Sequence, residues 1–166
     1  MKRLTLLRHA KSSWKDLSQP DAERPLNNRG KRNAPEMGLR FAKRYPDVDY
    51  VLISSPARRA ISTARLFAEA AGYALENITV DDRVYLADVT VLNDIAAAFD
   101  DTWQHVVLVG HNPGFTDFVN KATKHFIENL PTAGIAELQY HVDSWDQIET
   151  VQATLAELDI PKRKHA

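Results

Sequence analysis

Three short stretches, far apart in the chain, hold the residues that can do chemistry. The first is Leu4-Thr5-Leu6-Leu7-Arg8-His9-Ala10-Lys11-Ser12, where an apolar run stops abruptly at an arginine and a histidine. The second is Ser54-Ser55-Pro56-Ala57-Arg58-Arg59, at the end of VDYVLIS, and the third is Gly110-His111-Asn112-Pro113-Gly114, at the end of HVVLV. Short apolar, β-branched runs bounded by polar turns read as buried strands. In an open α/β sheet, ligand sites form beyond the carboxyl ends of parallel strands, so three such ends can converge. An arginine offers planar charged donors, and a histidine of near-neutral pKa can attack or shuttle protons. Two histidines with arginines beside them, and no carboxylate among these turns, form a seat for a dense anion, and a phosphoryl group fits best. Gly110 and Gly114 would let backbone amides approach such a ligand, and a helix after Pro113 would add its positive end.

The elements that must position these turns alternate between strand and helix. Residues 11–29 lack periodicity and read as a loop carrying Trp14, Asp16, Asp21 and Arg24. Asn27 or Asn28 suits the N-cap of a helix running to about Arg44, with Ala34, Met37, Leu39, Phe41 and Ala42 on its inner side. Pro46 closes that helix and residues 48–54 form the second strand. Pro56 suits the first turn of a helix over residues 57–71, stopped by Gly72. Residues 78–80 read as a short edge strand, 89–99 as a helix, 105–109 as a central strand and 115–123 as a helix. Alternation over residues 134–142 predicts a strand with one solvated face, and residues 148–158 a last strand or short helix. This order predicts a three-layer α/β/α sandwich with a mainly parallel central sheet.

The 166 residues suit one domain over residues 1–160, followed by a short basic tail at 161–166. Apolar residues at 44% and charged residues at 26% are those of an ordinary globular chain. A net charge of −1 gives no global pull toward nucleic acid or acidic membrane, so neither is expected as a partner. With no cysteine, disulfides, thiolate zinc sites and cysteine nucleophiles are excluded. The apolar part of MKRLTLLRHA is too short for a signal peptide, and a cytoplasmic protein is expected. His125, His141 and His165 lack metal-ligand spacing, so no metal is expected, and His105 reads as structural. No GxxxxGK[ST], GxGxxG or GxSxG motif occurs, which argues against nucleotide hydrolysis, dinucleotide binding and serine-esterase chemistry.

These motifs together resemble the histidine phosphatase superfamily, with its phosphoglycerate mutase-like fold. The leading RHA is similar to that family's RHG or RHA motif. SSPARRAISTA resembles its SSPxxRAxxTA motif, which selects Arg59, and GHNPG resembles the motif that selects His111. RHAKSSW, the stretch from Asp21 to Leu26, Arg29-Gly30 and the compact size resemble the SixA-type phosphohistidine phosphatases. The resemblance spans residues 4–142. It implies that His9 is a nucleophile that takes the phosphoryl group, with Arg8, Arg59 and His111 holding the phosphoryl oxygens of a loose, in-line transition state. It implies no cofactor and no metal, since the arginines supply the positive charge. Ser12 joins the substrate-binding candidates, while Lys11, Arg24 and Arg58 are candidates for the rim.

One departure bears on the substrate. Where many members place a glutamate acid after a tyrosine, this chain reads Val84-Tyr85-Leu86-Ala87-Asp88. Alkoxide leaving groups need a proton, whereas a protonated imidazole leaves readily from a P–N bond. The missing acid therefore favours phosphohistidine on a protein. So does the lack of a long lid-forming insertion between Pro56 and Gly110. One alternative is a phosphatase for small phosphate esters that uses Asp88 or a loop aspartate, Asp16 or Asp21, as acid. The other is a phosphoprotein-binding module with little turnover. Asp16 and Asp21 with Arg24 are expected mainly to brace their loop.

Overall fold

The computed structural model describes residues 1–161; the basic tail at 162–166, with His165, lies outside them. Six strands form one sheet: β1 (Lys2–Arg8), β2 (Val51–Ser54), β3 (Thr79–Val80), β4 (His105–Gly110), β5 (Ile135–Tyr140) and β6 (Thr154–Asp159). Their order is β3-β2-β4-β1-β5-β6. The first four run parallel, β5 runs antiparallel to β1, and β6 runs antiparallel to β5. The four helices are α1 (Asn28–Arg44), α2 (Arg58–Ala71), α3 (Val89–Ala97) and α4 (Gly114–Thr123). The result is a mainly parallel sheet between two helical layers, as the strand–helix alternation predicts. Among the described residues no helix is long and apolar enough to cross a membrane.

Strand alternation splits the core in two. Leu4, Leu6, Val106 and Leu108 face α3 and α4, packing with Leu92, Ile95, Phe115 and Phe118. Leu7, Val107 and Val109 face the other way, against Met37 and Phe41 of α1 and Ala64 and Phe67 of α2. A central strand buried on both faces reads as an unbroken apolar run. The caps follow local chemistry. The Asn27 side chain accepts from Gly30 N–H, and Asp88 from Val91 N–H, each covering an orphan donor of a first turn. Gly72, at φ 81°, closes α2 in the left-handed region.

Several elements differ from the sequence expectation. Leu39 is 54% exposed, because it lies two residues from both Met37 and Phe41 and so points about 200° away from them around α1. The second strand starts at Val51 rather than Val48: its partner β4 begins at His105, so residues 48–50 have no ladder to join. The expected solvated face of β5 is covered. Glu137 is buried, accepting from Arg44 at 3.2 Å and from the Tyr45 hydroxyl at 3.0 Å at the end of α1. The segment after β5 holds both alternatives, a 3-10 turn at Trp145–Thr150 and then β6.

Candidate active site at three strand ends

β2, β4 and β1 are adjacent, and their carboxyl ends are level. Ser54 pairs with Val109, and Arg8 with Gly110. The backbone ladder continues one step further, with Ser55 N–H bonding Val109 O and His9 N–H bonding Gly110 O, both at 2.9 Å. The residues that follow each strand are thereby set side by side. The His9 and His111 rings lie 5.3 Å apart between centroids. Arg59, the second residue of α2, brings Nη2 to 3.4 Å from His111 Nδ1. Thr63, four residues later, ties this turn to β1: its hydroxyl donates to Arg59 O at 2.7 Å and accepts from Ala10 N–H at 2.9 Å.

The hydrogen bonds fix both imidazole tautomers. His9 Nδ1 lies 2.8 Å from Ala10 O, and a carbonyl can only accept, so Nδ1 carries the proton. In the neutral ring this leaves Nε2 as a bare lone pair. The ring is neutral at pH 7, because burial, reinforced by the charges of Arg59, Arg8 and Arg24, pushes His9 down to about 4. His111 is the opposite tautomer. Its Nδ1 accepts from Arg59, so Nε2–H donates to Ser55 Oγ at 2.7 Å. Burial, then His9 and Arg59, lowers it to about 3, which keeps it neutral as well. His9 thus presents an acceptor, and His111 is held by donors and acceptors on both sides.

Both arginines keep a donor in reserve. Arg8 donates through Nη1 to Leu130 O at 2.9 Å, and Arg59 donates through both terminal nitrogens to Asp21. In each, the buried Nε–H has no partner. Buried donors are almost always paired, so two orphans flanking one neutral histidine mark an anion seat.

The structure also brings in a carboxylate, contrary to the expected carboxylate-free cluster. Residues 11–27 form a loop pinched at its neck by Ser13 N–H to Pro25 O and Asn27 N–H to Lys11 O. From it Asp21 reaches across to the site. Its Oδ2 accepts from Arg59 Nη2 at 2.9 Å and from the Tyr85 hydroxyl at 2.6 Å, and its Oδ1 from Arg24 Nε at 3.2 Å. The Tyr85 hydrogen bond, with Arg59 behind it, holds the carboxyl down to about 2. Asp21 does brace its loop through Arg24, but it also grips Arg59, so residues 11–27 reach over the site and meet Tyr85, whose ring packs edge-on against His111 at 5.5 Å.

Other expected residues fall into place around this centre. The Ser12 hydroxyl accepts from Arg24 Nη1 at 2.7 Å, and the Arg24 guanidinium lies 3.6 Å over the exposed Trp14 ring. Lys11 and Arg58 are exposed. Leu86 is exposed with φ 52°, and Asp88 is engaged as the cap of α3. Asp16 accepts from Ser18 in an exposed turn. Packing accounts for the two glycines. A side chain on Gly114 would strike the Ala87 carbonyl, and one on Gly110 the Phe115 ring, so packing requires both. His105 is structural as expected, bonded to Thr5 Oγ1 at 2.8 Å. Sequence reasoning missed Ser55, Thr63 and Tyr85 as members of the site, although the first two lie inside the SSPARRAISTA motif. Volume does not locate this centre either: a cleft of about 590 Å³ lies elsewhere, lined by Tyr45, Tyr50 and Tyr73.

Comparison with known proteins agrees with this geometry. The sequence model of the histidine phosphatase superfamily (branch 1) matches residues 4–85, which takes in Arg8, His9 and Arg59. The chain belongs to the histidine phosphatase superfamily. A Mycobacterium tuberculosis relative is 30% identical over 168 residues, covering 94% of this chain and 100% of the relative. A structure assigned as a phosphohistidine phosphatase SixA from Agrobacterium tumefaciens superposes with a TM-score of 0.78 at 28% identity, covering 97% of this chain and 99% of that one. A mycobacterial glucosyl-3-phosphoglycerate phosphatase with VO3 shares the fold, with a TM-score of 0.67 at 20% identity over 96% of this chain and 98% of that one. The coarse activity of this superfamily member is that of a histidine-type phosphatase acting on a phosphorylated substrate.

Proposed function

We propose that the protein is a metal-independent phosphohydrolase that removes phosphate from phosphohistidine carried on another protein, through a phosphohistidine formed on His9. The observation that supports it most is the pair of partnerless buried Nε–H donors, on Arg8 and Arg59, beside a neutral His9 whose Nε2 is a lone pair. In the first step His9 Nε2 bonds to phosphorus as the substrate's P–N bond breaks. The bonding pair returns to the substrate nitrogen. Arg8 and Arg59 hold the phosphoryl oxygens, where preorganised donors stabilise the charge of the transition state, and His111, its Nε2–H bonded to Ser55, joins them through Nδ1 once that nitrogen carries a proton. In the second step water attacks phosphorus, the His9 N–P bond breaks, and both water protons leave on the phosphate. His9 returns to its neutral form with Nδ1–H still on Ala10 O. Ser12 fixes Arg24, and through it the loop beside the seat.

The preference for phosphohistidine rests on what the nearby acids are doing. An ester needs a proton for its leaving oxygen. Asp88 is a helix cap, Asp16 closes a turn on the surface, and Asp21 is held ionised. The small-ester reading keeps some support from the fold shared with the glucosyl-3-phosphoglycerate phosphatase. The test is phosphate release from a histidine-phosphorylated protein, beside para-nitrophenyl phosphate and sugar phosphates, for wild type and His9→Ala. Rapid loss of phosphohistidine, slow ester hydrolysis and an inactive His9→Ala fit the proposal. Fast ester hydrolysis would transfer the function to small esters. Binding without turnover, unchanged in His9→Ala, would make the protein a phosphoprotein-binding module.

A further inference from the structure

Asp21 is the one carboxylate whose oxygens bond directly to Arg59, and its surroundings define what it can do. A carboxylate offers about four acceptor positions. Three are taken: Arg59 and Tyr85 on Oδ2, and Arg24 on Oδ1. The fourth, on Oδ1, is free, and the side chain as a whole is 43% exposed. Three donors converge on it, two of them from guanidinium groups. Such a group stays an anion and cannot hand a proton to a departing oxygen. It can accept one N–H more.

We propose that Asp21 is the specificity-determining residue of the site, selecting phosphorylated groups that leave from nitrogen and carry a positive charge, through the free acceptor position on Oδ1. This rests on the phosphohydrolase reading above. In a phosphorylated imidazole the ring nitrogen that does not carry phosphorus holds the proton, and the ring is cationic. That N–H donates to Oδ1, and the carboxylate favours the protonated ring. When the P–N bond breaks, the bonding pair stays on the ring nitrogen and the ring departs as neutral imidazole, with the proton that it brought. No acid is required from the enzyme. A phosphate ester brings no cation, and its developing oxyanion is repelled by the same carboxylate. Selection is thus attractive for one class and repulsive for the other, the two components that a specific site combines.

Asp21 also holds Arg59, so a positioning role must be told apart from a selective one. Asp21→Asn keeps the shape and an oxygen for Arg59 but removes the charge. The experiment measures kcat/KM of wild type, Asp21→Asn and Tyr85→Phe on a histidine-containing protein phosphorylated with phosphoramidate, and on para-nitrophenyl phosphate. Loss of a charge-assisted hydrogen bond in the transition state predicts that Asp21→Asn lowers the phosphohistidine-to-ester ratio about tenfold or more. Tyr85→Phe, which keeps the charge, retains the wild-type ratio within about threefold, less than one neutral hydrogen bond is worth, whatever its absolute rate. If Asp21→Asn slows both substrates by the same factor, Asp21 only positions Arg59 and the proposal is overturned. A Tyr85→Phe ratio that falls as far as that of Asp21→Asn overturns it too. Wild type without activity on phosphohistidine would overturn the phosphohydrolase reading instead, which the wild-type arm shows before any variant is compared.

Discussion

Lowering the pH should destabilise the folded protein through buried histidines, and His105 isolates the effect away from the active site. Its ring is 2% exposed, Nε2 is bonded to Thr5 Oγ1, Nδ1 has no partner, and Phe41, Tyr45 and Tyr50 surround it. Burial, with Arg3 nearby, pushes it down to about 4, against about 6.5 in an unfolded chain. Below pH 6.5 the unfolded state therefore binds a proton that the folded state refuses. Stability falls as pH drops, with the loss absent above 6.5 and complete below about 4. Between pH 7 and pH 5, His105 alone costs roughly 2 kcal/mol. Urea unfolding at both pH values, at constant ionic strength, measures this for wild type and His105→Gln. Carboxylates titrating in the same range act on both proteins and cancel in the comparison. The variant should lose about 2 kcal/mol less than wild type. Parallel losses would refute the reasoning, since they would mean that the His105 ring accepts its proton in the folded state.

Two further outcomes follow from the site. Arg59→Ala should lower kcat by about 10² to 10³, the scale of losing one preorganised donor to a transition-state oxyanion, as read by steady-state phosphate release. Thr63→Val removes the acceptor of Ala10 N–H and leaves that buried donor unpaired, so it should cost about 1–3 kcal/mol in chemical unfolding.

The parts of this structure written in local chemistry were legible in the sequence. The strand ends at Arg8, Ser54 and Gly110, the Asn27 cap and the Gly72 stop each depend on neighbours within a few residues. The grouping of Arg8, His9, Arg59 and His111 is not local, and it was legible only through the assumption of parallel strands and the resemblance that selected Arg59 and His111. What stayed hidden depends on partners distant in the chain. Asp21 lies in a loop without periodicity, and its place on Arg59 is set by how that loop crosses the sheet edge. Glu137 looks like a solvent-facing residue of an alternating strand until the end of α1 covers it with Arg44 and Tyr45. Alternation says which faces a strand has but not which way it runs, so the reversed direction of β5 was not readable either.

The place of β1 in the sheet governs how the site comes into being. The strand that delivers Arg8 and His9 is made well before both of its neighbours, which come more than 100 residues later. Arg3 pairs with His105 and Lys2 with Tyr140. Closing such long loops slows folding relative to chains rich in local contacts. During synthesis β1 is an apolar strand with two open edges, the kind of surface that chaperones shield and that aggregates when left uncovered. No partial product that ends before β4 can hold His9 against Gly110.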